Sequence, residues 1–329
     1  MKAAGELPAR RISVAPMMNR TDRHFRFLMR LITRNSWLYT EMVVARALIH
    51  AGPARFLAHD PAERPLALQL GGSDPATLAH AARLAEDHGF DEVNLNIGCP
   101  SGRVTGGRMG VCLMREPVRV ADCVAAMRAA CTLPVTVKTR IGVDHEDGFD
   151  FLCRFVDAIV AAGCETVIVH ARKAWLSALS PKANRTVPPL DYARVYALKR
   201  HFPTLEIVAN GGVSNLDEAA AMLEQCDGVM FGRAAYARPL LLAGADRRFY
   251  ATRCNPPALA GILGGYLDYL SGQAVAGKLP SAALGHLAGL FAELPGARET
   301  RRRLGELAAH RDLAGLESVL VPWMQPRAA

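Results

Sequence analysis

At 329 residues, half of them hydrophobic and 21% charged, the chain has an ordinary globular balance, and no apolar run approaches the roughly 20 residues that a membrane span requires. The length exceeds a usual single domain and suits one large α/β barrel with a small appendage. The formal charge of +8 suits a polyanionic partner, although many soluble proteins are this basic for no specific reason. Residues 1–11 are basic but lead into no apolar h-region with a small-residue cleavage site, so no secretory signal is expected and the cytoplasm is the expected compartment. From there, eight short β-rich runs alternate with amphipathic segments: 12–15, 37–43, 66–70, 92–96, 135–138, 166–170, 206–209 and 228–231. Asp74-Pro75 places a capping carboxylate before a helix-starting proline, Gly89 ends that helix, and Ala79, Ala82, Leu84 and Ala85 mark its inner stripe. Ser214-Asn-Leu-Asp217 reads as a capping box ahead of 219–223. Eight β/α units predict an α/β fold, a (β/α)8 TIM barrel over residues 1–244. A doubly wound open sheet is the alternative, but the first strand lacks the GxGxxG turn of its dinucleotide-binding version. Past residue 245 the alternation stops. Segments 259–269, 281–294 and 305–321 read as helices, giving a small C-terminal all-helical domain over 245–329 whose unusual feature is Arg298 with Arg301-Arg-Arg303. Eight cysteines without a CxxC pair or a compact framework point to reduced thiols, with neither disulfides nor a zinc site.

Ligands of such barrels bind at the carboxyl ends of the strands. Standing there are Pro16-Met17-Met18, Glu41, Gln69, Asn96 with Cys99, Lys138 with Arg140, His170 with Arg172, Asn210-Gly211-Gly212 and Gly232-Arg233. Singly, each has a dull alternative: a hydrogen-bonded core histidine, a strand amide, a rim charge. Together they make a polar ring where barrel interiors otherwise carry branched apolar residues. The glycines after the seventh and eighth strands expose backbone N–H groups toward helix starts, the usual barrel phosphate site. A phosphate there, with Lys138 and Gln69 deeper in the ring and a cysteine at its edge, describes a flavin mononucleotide site. Lys138 suits the N1 and O2 edge of a reduced isoalloxazine, and Gln69 its pyrimidine-like edge.

The junction Asn94-Leu-Asn-Ile-Gly-Cys-Pro-Ser101 concentrates the chemistry. A strand must stop before Pro100, which holds Cys99 on a rigid turn just past the strand's carboxyl end. A lone cysteine in such a corner is more often simply packed. Asn94 and Asn96, alternating with apolar residues, put amides on one side of a strand that should be apolar throughout, and amides facing inward want a polar ligand. The loop over 103–110, with Gly106, Gly107 and Gly110, suits close approach to that ligand.

These residues resemble a known family. The stretches Val14-Ala-Pro-Met-Met18, Thr21-Asp-Arg-His24, Tyr39-Thr-Glu-Met42, Leu68-Gln-Leu-Gly-Gly72, Val93-Asn-Leu-Asn-Ile-Gly-Cys-Pro-Ser101, Val137-Lys-Thr-Arg-Ile-Gly142, His170-Ala-Arg-Lys-Ala-Trp175, Asn210-Gly-Gly212 and Met230-Phe-Gly-Arg233 are similar to those of the tRNA-dihydrouridine synthases. The runs at 170–175 and 180–185 are specific to the A-type branch, whose members reduce uridines 20 and 20a of the tRNA D loop with FMN and NADPH. The resemblance implies that Pro16, Met17, Met18, Gln69, Lys138, His170, Asn210, Gly211, Gly212, Gly232 and Arg233 hold FMN. It also implies that Cys99 is catalytic, as the general acid that gives a proton to C5 while a hydride reaches C6. Cys112 is the rival thiol, read as structural. An extruded uridine needs its edge read by amides and cations, for which Asn96, Lys138 and Arg172 are placed. The insertion over 173–189, with Lys182, Asn184 and Arg185, is expected to grip the RNA backbone, and Arg298 and Arg301 to contact phosphates. A monomer acting on tRNA, with no membrane partner, is the expected state. The chain departs from the family at Asn19-Arg20, where Asp-Trp is common, and at Val111 before Cys112. Two alternatives remain at this point. One is an FMN barrel reducing a small enone or pyrimidine, against which the arginine-bearing tail argues. The other is a non-catalytic tRNA chaperone, against which the intact cysteine and flavin set argue.

Overall fold

The β-rich runs become strands β1 (Ile12–Val14), β2 (Trp37–Tyr39), β3 (Leu66–Gly71), β4 (Glu92–Ile97), β5 (Val135–Arg140), β6 (Thr166–His170), β7 (Glu206–Asn210) and β8 (Gly228–Phe231) in the computed structural model, which describes residues 7–274, 279–311 and 313–325. The first six residues of the basic N-terminal stretch lie outside the described residues. Each strand runs parallel to the next. β8 closes back on β1 through Ile12↔Val229 and Val14↔Phe231, so the barrel leaves no edge. Eight helices follow the eight strands: α1 (Arg23–Ile32), α2 (Ala45–Ala51), α3 (Pro75–Asp87), α4 (Pro117–Ala130), α5 (Phe149–Ala161), α6 (Tyr192–His201), α7 (Leu216–Met222) and α8 (Arg233–Ala237). The expected TIM barrel is therefore the fold.

Local expectations change in three places. The run 37–43 is two strands, because Thr40 turns its side chain into the ladder. Its Oγ1 accepts the Gln69 N–H at 3.0 Å, and pairing resumes only at Val43–Val44 on β3. Asp74 caps α3 by accepting from the Thr77 N–H at 2.8 Å, but the buried stripe is Leu78, Ala81, Ala82 and Ala85, with Ala79 and Leu84 only half-buried. The cap of α7 is Asn215, one residue later than expected. Asn215 Oδ1 accepts from the Asp217 and Glu218 N–H groups, and the Glu218 carboxylate closes back on the Ser214 N–H.

Beyond the barrel lie α9 (Leu259–Gln273), α10 (Ser281–Leu287), α11 (Arg298–His310) and α12 (Leu313–Met324). The helix expected over 305–321 is thus two. Arg311 takes a left-handed φ of 60° and its N–H and C=O are spent on Leu307 and Leu279, which ends α11; Asp312 lies outside the described residues. These helices share one apolar cluster with the barrel. Phe25 of α1 lies 5.1 Å from the Tyr236 ring of α8 and 5.5 Å from His286 of α10, and Phe27 stacks on Tyr269 at 3.9 Å. Asp22, which caps α1, is bonded by His286 Nε2 at 2.9 Å. The helix following a barrel strand starts at the strand's carboxyl end, so α10 docks on the mouth side.

Inside the barrel a second, smaller apolar cluster holds Ala15, Trp37, Tyr39, Ala67, Ile168, Val208 and Met230. The β3–β5 side of the same interior is polar: Gln69, Glu92, Asn94 and Thr136 are each at most 1% exposed. No described helix is long and apolar enough to cross a membrane.

Candidate active site

The turn after β4 is tied from both sides. Asn96 Oδ1 accepts the N–H groups of Gly98 at 3.1 Å and Cys99 at 2.9 Å, and the Cys99 carbonyl accepts from the Val111 N–H at 3.1 Å. Gly110 makes that closure possible. At φ 75° its backbone passes so near that a Cβ would stand 2.5 Å from the Cys99 oxygen and 2.9 Å from Val104 Cγ1. The expected open loop over 103–110 is accordingly partly packed: Gly102–Thr105 forms a helical turn and Val104 is buried against Gly110. Cys99 itself is half-buried at the mouth. Cys112 is spent differently, donating from Sγ to the Met109 carbonyl at 3.2 Å, with burial and then Glu116 pushing its thiol up.

The inward-facing amides bond one another. Asn96 Nδ2 donates to Gln69 Oε1 at 2.8 Å, and Gln69 Nε2 donates to Asn94 Oδ1 at 2.8 Å. Asn94 is satisfied inside the barrel, which corrects its reading as an amide turned toward a ligand. Asn96 has both oxygen lone pairs on the Cys99 turn, so it keeps only an N–H for anything bound above.

Next to these amides, beginning with Lys138, which pairs with Asn96 in the β4–β5 ladder, stands a group of cations with no carboxylate of the described residues among them. Lys138 Nζ donates to Asn210 Oδ1 at 3.0 Å, and burial, with the Arg140 charge, pulls its ammonium down to about 7. Burial and the charges of Arg140, Lys138, Arg172 and Arg233 hold His170 well below its ordinary value, as a neutral imidazole. Burial and then Arg233 lower both Arg172 and Arg185, with Arg20 adding to the latter. Gly211 and Gly212, at φ 116° and 78°, run directly beside this group, where a Cβ on Gly211 would meet His170 Cδ2 at 2.6 Å. Arg172 bonds the Pro188 carbonyl while its Nε is buried without a partner. A cradle of close backbone, cations lowered by mutual repulsion and an orphaned guanidinium N–H suits a multiply charged anion.

The remaining expected residues divide. Pro16, Met17 and the exposed Met18 border the mouth from the end of β1, where Thr21 Oγ1 accepts the Met17 N–H at 2.9 Å. Asn19 takes a left-handed φ of 58°, its N–H on the Glu41 carboxylate, and the Arg20 guanidinium lies 4.8 Å over the Tyr236 ring. Gly232 leads into α8, and Arg233 Nη2 bonds the Arg185 carbonyl at 3.0 Å, joining the eighth strand's loop to the insertion. Lys182 and Arg185 are exposed, as an RNA-gripping element requires. Asn184 is fully buried. Its Oδ1 accepts the Trp175 N–H at 2.7 Å and its Nδ2 donates to the Trp175 and Leu179 carbonyls, so it folds the insertion and does not reach RNA. Arg298 and Arg301 are exposed on α11. Arg140 has a larger part than its sequence position suggests. At 2% exposure, it donates to the carbonyls of Gly98 at 2.9 Å, Lys173 at 3.0 Å and Asn184 at 3.0 Å, so one side chain fixes the Cys99 turn and the insertion together. A charged residue at the carboxyl end of a barrel strand was the available signal.

Known proteins place this geometry in a family. The sequence profile described as Dihydrouridine synthase (Dus) matches residues 13–321. The tRNA-dihydrouridine(20/20a) synthase of Salmonella typhimurium is 51% identical over 317 residues, covering 95% of each chain. The synthases of the same name from Vibrio cholerae and Escherichia coli K12 are each 50% identical, covering 94% of this chain and 94% and 90% of their own. Among solved structures, the old yellow enzyme homologue of Zymomonas mobilis superposes with a TM-score of 0.51 at 13% identity, over 79% of this chain and 95% of that one, a likeness of fold. With a match that takes in every barrel strand and most of the C-terminal helices, the chain belongs to the dihydrouridine synthase family.

Proposed function

We propose that the protein is a flavin-dependent tRNA-dihydrouridine synthase that reduces the C5–C6 bond of uridine 20 or 20a in the D loop, with FMN as cofactor and NADPH as reductant, in the cytoplasm. The observation that carries the reading is the Cys99 turn held beside a group of cations without a carboxylate of the described residues among them, in a chain about half identical, over 95% of its length, to a synthase of that name. The residues fit FMN: Gly211, Gly212, His170, Arg172 and Arg233 would hold its phosphate, and Lys138 and Gln69 its ring. Bound FMN supplies the hydride for C6 of the uracil.

Everything else falls to the chain. Cys99 Sγ gives its proton to C5, completing a two-electron, two-proton-equivalent reduction, and solvent returns the proton to sulfur. Arg140, bonded to the Gly98 carbonyl at 2.9 Å, sets a cation beside the turn from which the proton leaves. The spare Asn96 N–H reads the extruded base, and the exposed Lys182 and Arg185 grip the RNA backbone. Residues 1–244 form the catalytic domain, and 245–329 a helical tRNA-binding domain that presents Arg298 and Arg301 to phosphates.

An anaerobic experiment tests the reading. Protein reduced with NADPH is mixed with undermodified tRNA while flavin absorbance and dihydrouridine are followed. Reoxidation with dihydrouridine at position 20 or 20a is expected, and Cys99→Ala should lose it by about 100-fold or more in a single turnover. A flavin that NADPH reduces but tRNA does not reoxidise would overturn the substrate and favour a small-molecule reductase.

A further inference from the structure

A hydrogen-bond chain runs one way through the barrel, from the Cys99 turn to the floor. The Cys99 N–H donates to Asn96 Oδ1 at 2.9 Å, Asn96 Nδ2 to Gln69 Oε1 at 2.8 Å, and Gln69 Nε2 to Asn94 Oδ1 at 2.8 Å. Asn94 Nδ2 donates to Thr136 Oγ1 at 2.8 Å, and Thr136 Oγ1 to Glu92 Oε1 at 2.6 Å. Tyr39 OH donates to the same Glu92 oxygen at 2.9 Å, and Arg10 pairs with the other.

The direction of the chain is set at both ends. At the top, the Gly98 and Cys99 N–H groups can only donate. At the bottom, a carboxylate paired with an arginine can only accept. Turning one amide over sets N–H against N–H or oxygen against oxygen along the chain, and turning all three brings the Asn96 amino group against two backbone N–H groups. Both ends therefore dictate one arrangement of three amides whose orientation is otherwise free. Packing does not require it, since the opposite interior wall is filled by Ile168, Val208 and Met230. Four polar side chains buried to 1% exposure or less are costly unless each is satisfied, and a satisfied chain polarises its own members.

We propose that Glu92 and Thr136 are positioning residues: acting through Asn94, Gln69 and Asn96, they hold the backbone turn that carries Cys99 and leave Asn96 with only a donor to offer the site. The inference rests on the reading of Cys99 as the proton donor.

The test uses the full-length protein without flavin, reading amide hydrogen exchange and proton chemical shifts at Gly98 and Cys99 in Thr136→Val, Thr136→Ser and Glu92→Gln. Neither substituted residue touches the turn. In Thr136→Val the two amides should exchange about tenfold faster, the net worth of roughly one hydrogen bond, and move upfield. The amides of Ile168 and Val208, on the apolar wall, should keep their rates. Thr136→Ser should restore the wild-type values, and Glu92→Gln, which keeps shape and removes charge, should shift the same amides the same way. In loaded enzyme, Thr136→Val should lower kcat without changing KM for tRNA. Should Thr136→Val fail to fold, Glu92→Gln decides alone. Unchanged Gly98 and Cys99 amides in folded variants overturn the proposal. Amides that respond in a protein whose Cys99→Ala variant keeps full turnover uphold the positioning of the turn and overturn the role given to Cys99.

Discussion

Lys138 stands between the Arg140 charge and the Asn210 amide, and burial with that charge pulls its ammonium down to about 7 against an ordinary 10.5. Between these values the unfolded chain binds more protons at this residue than the folded one does. Its contribution to stability therefore rises with pH from about 7 toward 10.5. Below about 7 the folded protein carries the full cost of a charge set beside like charges. Lys138→Met removes that cost. The flavin-free variant is expected to be about 1–2 kcal/mol more stable than wild type at pH 7, with the gain narrowing toward pH 10, while FMN binding weakens. Denaturant titrations at the two pH values check the first expectation and fluorescence quenching of FMN the second; equal destabilisation at both pH values would refute the charge conflict. An anion brought to the site restores the proton to Lys138. For the wild type, FMN affinity should therefore fall as pH rises from 7 to 9, by at most about tenfold per unit for one proton taken up.

The insertion after β6 shows how an element's sequence hides the division of labour within it. Lys182, Asn184 and Arg185 sit together as three polar residues in one loop, yet Asn184 is buried and bonded to Trp175 and Leu179 while its neighbours are exposed. Asn184→Ala leaves the Trp175 N–H and two carbonyls without partners, so a loss of about 2 kcal/mol and faster proteolysis within the insertion are expected. Lys182→Ala should stay within about 0.5 kcal/mol of wild type and weaken only tRNA binding. Limited proteolysis with thermal unfolding separates the two, and equal stability of both variants would sink the distinction. What the sequence makes legible here is what local pattern determines. Strands, their polar carboxyl ends and the position of Cys99 follow from local pattern and from Pro100, and each is found where expected except the run 37–43, which Thr40 divides. How a polar group is satisfied depends on partners brought in from elsewhere. Asn94 reads as an amide in search of a ligand until Gln69 and Thr136 are seen beside it on neighbouring strands. Likewise the apolar pattern over 305–321 runs on through a helix break that only the pairing of Arg311 with Leu279 creates.

At the scale of the molecule, the C-terminal helices are joined to the barrel through α10, which docks on its mouth side. His286 of α10 bonds Asp22 at the start of α1 and Tyr236 of α8, and α11, packed on α10, carries the arginine run. Within that run Arg302 is neutralised by Glu299 and Glu306. Arg298 and Arg301 have no ion-pair partner among the described residues, and they occupy the first turns of α11, the positive end of its dipole. Cations there cost about 0.3–1 kcal/mol each in the free protein, an arrangement that a phosphate backbone reverses. Replacing Arg298 and Arg301 by Ala should weaken tRNA binding and flatten its dependence on log salt by about 0.7–0.9 for each phosphate that is no longer neutralised. Arg302→Ala, which removes a charge already paired, should leave the slope in place. NADPH oxidation should be equal in all three proteins, because the residues proposed to hold the flavin lie on other elements. Filter-binding over a series of salt concentrations reads the slopes, and a double variant with the wild-type slope would move the RNA interface off α11 and leave the cations around Arg185 to carry it.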